Sequence, residues 1–231
     1  NQAVRLNRAV RFLFPSSIAI YSLPSLEEKR RIGKIGEEQW NLPITMYGCN
    51  KLYCEHLGRY YSQHFRKHQV AGSPARVDFR ALRFPGLISA DTMPTGGTSD
   101  YGPEMLHAAA QGKPYSCFVR PDARIPFMAM PDAVTALLAL LEAAPEQLSQ
   151  TVYNIAGFSI SAQEIEARAR RAFPGATITY APDVVRAQIV DSWPEDVDDS
   201  RARRDFGWKN AYDVDRAFDE YLLPRITGSR A

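Results

Sequence analysis

Short β-type runs alternate with helix-patterned segments along most of this 231-residue chain, and no other feature constrains its fold as much. Strand-like runs are predicted at residues 11–14, 77–84, 151–155 and 177–180. Between them lie helical signals. Thr45-Met46-Tyr47, just after Pro43, opens a segment reaching to about Phe65. Pro131-Asp132 starts another, with Val134, Leu137, Leu138 and Leu141 at helical spacing, and Asp132 fits there as a helix-start residue favoured by the dipole. Ser161-Ala162-Gln163-Glu164 is a capping box for a helix ending near Phe173. Shorter helices are expected at residues 104–111 and 213–223. Residues 24–43 and 89–102 read as loops, and 66–75, with the break Ser73-Pro74, as an insertion. Strands separated by crossover helices pair in parallel, so the expected class is α/β with a parallel sheet.

Composition narrows the function classes. Hydrophobic content of 45% and charged content of 23% suit a soluble globular protein, and no apolar run approaches the ~18 residues of a membrane span. With a net charge of +2, the run Glu28-Lys29-Arg30-Arg31 reads as a solvated loop, and no nucleic-acid partner is expected. The four histidines and three cysteines show no ligand spacing, so no metal site is expected, and reduced thiols suit the cytoplasm.

Tyr47-Gly48-Cys49-Asn50-Lys51 carries the chemistry. On a helix, Tyr47 and Lys51 stand one turn apart on the same face, where an ammonium favours the phenolate. With 11 Tyr and 6 Lys, chance supplies about 0.3 such pairs, so the neighbourhood must decide. Cys49, Tyr53, Leu57 and Tyr60 share a stripe predicted to be buried, which leaves Tyr47 and Lys51 at its edge, as a cleft requires.

Several ordered blocks resemble the extended short-chain dehydrogenase/reductases, the NAD-dependent epimerase/dehydratase family. They are Pro15-Ser16-Ser17-Ile18-Ala19-Ile20-Tyr21, the Tyr47–Lys51 block, Leu82-Arg83-Phe84-Pro85-Gly86-Leu87-Ile88-Ser89 and Gly96-Gly97-Thr98-Ser99-Asp100-Tyr101. The blocks beginning at Asp122, Asp191-Ser192-Trp193-Pro194 and the segment from Asp198 to Trp208 continue the likeness. Within that family the pattern is most similar to the L-threonine 3-dehydrogenase branch.

The resemblance implies a Rossmann-like parallel sheet, of which this chain holds the C-terminal part, plus a smaller α/β substrate domain. The implied division is 1–88 for the C-terminal half of the NAD-binding domain and 89–130 for a substrate-binding segment. Residues 131–156 return to the first domain, and 157–231 form the C-terminal substrate-binding domain. It implies Ser17, Tyr47 and Lys51 as catalytic residues, Ser17 holding the substrate oxygen and Tyr47 moving its proton. NAD would touch Tyr47, Lys51, Pro85 and Leu87, Gly86 allowing close approach. A small-molecule substrate would meet Ser17, Gly97, Thr98 and Arg124. A homodimer is implied for the full-length enzyme, formed through the Tyr/Lys helix.

No G-x-G-x-x-G or G-x-x-G-x-x-G turn for a pyrophosphate occurs in the sequence. The expectation is therefore an N-terminally truncated chain, inactive alone. Residues 23–42 and 66–75 depart from the branch pattern, which leaves a nucleotide-sugar epimerase or dehydratase, or a non-catalytic fragment, as alternatives.

Overall fold

The computed structural model describes residues 2–65 and 76–228; the expected insertion at 66–75 with its Ser73-Pro74 break lies outside them. α1 (Gln2–Arg5) leads into β1 (Val10–Ser17), which ends in a 3₁₀ turn at Ile18–Ile20. The segment predicted as a polar loop instead folds into α2 (Leu26–Ile32) and β2 (Lys34–Ile35). Its signals are local ones: Ser25 caps the Glu28 N–H, acidic residues occupy the first turn, and Gly33 ends the helix at φ +67°. The run Glu28-Lys29-Arg30-Arg31 is thus helical, and Lys29 is only 2% exposed.

α3 (Met46–Gln63) starts at Thr45, whose hydroxyl accepts the Gly48 N–H. β3 (Val77–Phe84), β4 (Gly86–Ile88), α4 (Tyr101–Ala110), β5 (Tyr115–Cys117) and β6 (Arg124–Ala129) follow. α5 (Met130–Glu142), β7 (Val152–Asn154), β8 (Phe158–Ser161) and α6 (Ala162–Ala172) come next, α6 with the expected Ser161/Glu164 capping box. β9 (Ile178–Tyr180), α7 (Val184–Ser192), β10 (Asp196–Val197) and α8 (Ser200–Phe206) precede the closing helical stretch. That stretch comprises α9 (Val214–Arg216), a π-helical segment Ala217–Leu222 and α10 (Leu223–Gly228).

The strands form a parallel sheet ordered β1-β3-β7, a mixed sheet β4-β6-β8, and the parallel pairs β5-β9 and β2-β10. Ser17 pairs with Phe84, so β1 and β3 end level with each other. α3 and α5 both pack on the β1-β3 strands. The larger core joins Ile18–Ile20, Tyr101, Phe118, Phe127, Ile165 and Phe218; a second, built on Leu82, Phe84, Ala136, Leu140 and Trp208, lies under α5.

The helix α3 inverts the amphipathic reading predicted for it. On α3 the stripe expected to be buried faces outward, with Tyr53 63%, Leu57 38% and Tyr60 47% exposed. Its packed side relies on glycines and one carboxylate beside the partly buried Leu52: Gly48 meets the Ala19 carbonyl, Gly58 meets the Phe79 ring, and Glu55 is buried. Small residues bring a helix close to a sheet, and no apolar stripe announces them. α5 packs Ala133, Ala136 and Leu140, with Leu137 partly buried beside them, while Val134 and Leu138 stay half-exposed. Its Asp132 carboxylate accepts the N–H groups of Ala211 and Tyr212, tying the late chain to the helix start.

Lys29 is enclosed between α2 and α7, its ammonium donating to the Val190 carbonyl at 3.1 Å. Burial pushes its pKa down to about 8, with Asp191 and Glu195 pulling the other way. Unfolded lysine titrates near 10.4, so across about pH 8 to 10 the unfolded chain binds the proton more tightly and stability rises with pH. Burial pushes Tyr21 and Tyr153 up to about 12, so above roughly pH 10, where unfolded tyrosine ionises, stability falls again. Burial also raises the Cys117 thiol to about 11, which lowers stability over the pH 8 to 10 range in wild type and in Lys29→Met alike. In urea unfolding, wild type should therefore gain about 2 kcal/mol relative to Lys29→Met between pH 8 and 10. An identical pH profile in the variant would show that Lys29 does not titrate in this way.

Candidate active site

The ends of β1 and β3 and the first turns of α3 meet around a cleft of about 520 Å³. Strand alternation splits the two serines of β1. Both border the cleft, but Ser16 is buried and its hydroxyl donates to Glu55 Oε1 at 2.5 Å, whereas the Ser17 Oγ accepts the Ala19 N–H at 3.1 Å. Tyr47 and Lys51 reach the same space from α3. The Lys51 ammonium donates to the Pro15 carbonyl at 2.6 Å and stands 5.0 Å from the Phe14 ring centre and 5.4 Å from that of Tyr47. That one cation thus joins the strand carrying Ser17 to the helix carrying Tyr47, and it uses only one of its three donors on Pro15.

Pro85 and Leu87 line the cleft from the β3–β4 junction. Between them Gly86 leaves no room for a side chain, since a Cβ would lie 2.8 Å from the Phe127 ring. The opposite wall is the loop holding Gly97 and Thr98. Asp100 shapes this loop, its Oδ2 accepting the Thr95 and Gly97 N–H groups at 3.1 and 2.8 Å.

Of the eight residues expected at the site, Ser17, Tyr47, Lys51, Pro85, Leu87, Gly97 and Thr98 share this cleft. Arg124 is not among its lining residues. Its guanidinium donates to the Ser159 carbonyl and to Glu164 Oε2, stapling β6 to β8 and to the start of α6. Thr45, Phe84, Asp100 and Trp193 line the cleft without having been given a role from sequence. Thr45 was legible as a helix cap, and Asp100 and Trp193 lie in blocks already singled out; only the fold shows which way they face.

Beneath the cleft runs a buried polar network. Arg83, fully buried on β3, donates from Nε and Nη2 to both oxygens of the fully buried Glu55 carboxylate, at 2.9 and 2.6 Å. Its Nη1 donates to Tyr21 Oη and to the Glu37 carbonyl, and Tyr21 passes its own proton donor to Asn154 Oδ1. The Glu37 carboxylate accepts from the Asn154 N–H and from Gln150. Each segment that brings a residue to the near wall is therefore tied to the same guanidinium, directly or through Glu55.

The model of the NAD dependent epimerase/dehydratase family matches residues 2–156. Over 172 residues the chain is 40% identical to the mitochondrial L-threonine 3-dehydrogenase of Bos taurus, a match covering 74% of this chain and 43% of that protein. The GalE-like L-threonine dehydrogenase of Cupriavidus necator, in its holo form, superposes with a TM-score of 0.77 at 36% identity, covering 96% of this chain and 65% of that one. A monomeric L-threonine 3-dehydrogenase from a metagenome superposes at 0.82 with 31% identity, over 96% and 66% of the two chains. The chain spans less than half the length of the bovine relative.

Breaking the buried pair on one side should be far more damaging than removing both charges. Arg83→Met, which strands the Glu55 carboxylate, is expected to cost about 3–5 kcal/mol in urea unfolding. The double variant Glu55→Leu/Arg83→Met should recover at least half of that loss; a double variant as unstable as the single one would contradict this account.

Proposed function

The chain belongs to the NAD dependent epimerase/dehydratase family, and from that premise we propose that its cleft is the proton-handling side of an alcohol dehydrogenase site. The substrate we infer is L-threonine or a similar hydroxy amino acid, oxidised at the 3-hydroxyl to the 2-amino-3-oxo acid. The observation that carries this reading is the convergence of Ser17, Tyr47 and Lys51 on one cleft, with the Lys51 ammonium beside both the Tyr47 ring and the β1 end. Similarity to enzymes named as L-threonine dehydrogenases, at 40% and 36% identity, supports the choice of substrate.

Each residue has a part that its position allows. Ser17 holds the substrate hydroxyl oxygen by a hydrogen bond, and Tyr47 takes the proton as general base. Lys51 sets a positive charge beside the Tyr47 ring, 5.4 Å from its centre. Gly97 and Thr98 face the substrate from the opposite wall. The residues present also fit the nicotinamide end of NAD: Lys51 has donors to spare for a ribose, and the 85–87 backbone lies open to the cleft against Phe127. NAD, when bound, supplies the hydride acceptor. Lys51, Tyr47, Pro85 and Leu87 would hold it here. The sequence contains no glycine-rich turn for its phosphates.

We assign the outward aromatic stripe of α3 to a homodimer contact. Tyr53, Leu57, Tyr60 and Tyr61 are exposed, and Tyr60 and Tyr61 pack edge to face on each other. The relative described as monomeric makes this a point for measurement. Cys49, Cys54 and Cys117 are unpaired, which suits a reducing compartment such as the cytoplasm. Among the described residues no helix is long and apolar enough to cross a membrane.

In this chain joined to a nucleotide-binding half bearing a G-x-x-G-x-x-G turn, NADH formation should follow addition of L-threonine and not of a sugar-nucleotide panel. Tyr47→Phe should lower kcat by about 10²–10⁴-fold; undiminished turnover would remove Tyr47 from the mechanism. For the association, sedimentation velocity should show a dimer that Leu57→Glu/Tyr60→Glu converts to monomer. A wild-type monomer at tens of micromolar would refute that contact.

A further inference from the structure

Arg186 sits in the first turn of α7, far in sequence from the cleft, and is absorbed by none of the roles above. Its backbone N–H is capped by Asp183 at 2.8 Å, and the Asp183 N–H in turn donates to the Phe118 carbonyl at 2.9 Å. This double anchor fixes the root of the side chain. The guanidinium carbon lies 3.2 Å from the centre of the Phe118 ring, and Nη2 donates to the Gly96 and Gly97 carbonyls at 3.3 and 3.1 Å. A guanidinium stacks on an aromatic face while donating within its own plane, which an ammonium cannot do.

Both sides of this contact lead to the cleft. Phe118 meets Tyr101 edge to face at 6.0 Å, and Tyr101 meets Phe127 likewise at 5.7 Å. Phe127 is the ring against which Gly86 lies at the cleft wall. The column of Phe118, Tyr101 and Phe127 is buried and forms part of the main core. On the other side, Gly97 is held at both ends, its N–H by Asp100 Oδ2 and its carbonyl by the Asp100 N–H at 3.1 Å as well as by Arg186. Gly96, at φ +90°, is a point where the chain can turn freely if that hold is lost.

We propose that Arg186 is a positioning residue: a strap that fixes the Gly96–Asp100 wall of the cleft to the aromatic column and so sets how tightly the cleft takes its substrate. The affinity part rests on the functional reading given above, whereas the strap itself does not. Removing the guanidinium frees the Gly96 carbonyl, leaves the Gly97 carbonyl with the Asp100 N–H alone, and does not touch the three residues of the near wall. The loss should therefore fall on binding and spare the proton transfer.

Hydrogen exchange of this chain without ligand tests the strap. In Arg186→Met the Thr95 and Gly97 amides, which report the loop through Asp100, should exchange about tenfold faster while β1 and β3 amides keep their protection. Arg186→Lys, which retains the charge but not the planar fork, should not restore it, and Phe118→Leu should reproduce part of the effect. Unchanged exchange at Gly97, an equal rise in β1 and β3, or full rescue by Arg186→Lys would each overturn the proposal. In the active chimera, KM for L-threonine should rise about tenfold in Arg186→Met with kcat within about twofold. A faster-exchanging loop with an unchanged KM would overturn the affinity part. Absence of threonine turnover in the wild-type background would count against the functional reading alone, and exchange at Gly97 would still decide the strap.

Discussion

The bidentate contact between Arg83 and Glu55 is the constraint on which the rest of the site depends. Two charges at zero exposure are expensive to remove from water, and their attraction offsets that cost only when nearly every donor and acceptor has a partner. Here that condition is met: Ser16 adds a third hydrogen bond to the carboxylate, while Tyr21 and the Glu37 carbonyl occupy the remaining guanidinium nitrogen. Such a network tolerates few alternative arrangements, because displacing one member leaves another unpaired in a dry interior. Apart from Glu37, just after β2, its members come from β1, the turn after it, α3 and β3. Those are the elements that deliver Ser17, Tyr47, Lys51 and Pro85 to the cleft.

Much of this was legible from short-range pattern, and the failures have a common cause. Strands at 77–84 and the capping box at Ser161 rest on local chemistry and stand in the structure as expected. α2 was readable in the same way from Ser25 and Gly33, but its charged composition resembled a loop. The buried side of α3 could not be read from hydrophobicity, because Leu52 is its one large apolar contact and the closest approaches are made by Gly48, Gly58 and Glu55. A buried carboxylate looks like any surface glutamate until its arginine, 28 positions away, is placed opposite it. The two-residue strands β2 and β10 exist only through pairing with each other and carry almost no periodicity of their own.

The cleft divides in the same way. Tyr47 and Lys51 share the first turns of α3, where helical spacing brings them together, whereas Ser17 is marked by the family resemblance and reaches them only through the fold, across α2 and β2. Asp100 and Trp193 arrive from the loop before α4 and the end of α7, and no spacing rule links them to a tyrosine some 50 to 150 residues earlier. Arg124 shows the opposite error: a basic residue in a suggestive block, which the fold uses between β6, β8 and α6.

The two walls of the cleft differ in how they are held, and the difference matters for chemistry. Proton transfer needs donor and acceptor fixed to within a fraction of an ångström, which strand ends and a helix over a saturated buried network can supply. Recognition of a substrate tolerates more play and benefits from it, since a wall that yields can admit a ligand and then settle on it. The far wall is a loop with a left-handed glycine, held from inside by one carboxylate and from outside by one guanidinium. Changes in that loop or in α7 can alter what is bound without disturbing Ser17, Tyr47 or Lys51. On the proposed function, a single proton-handling arrangement serves different substrates across a family, with selectivity carried by contacts that lie outside Ser17, Tyr47 and Lys51.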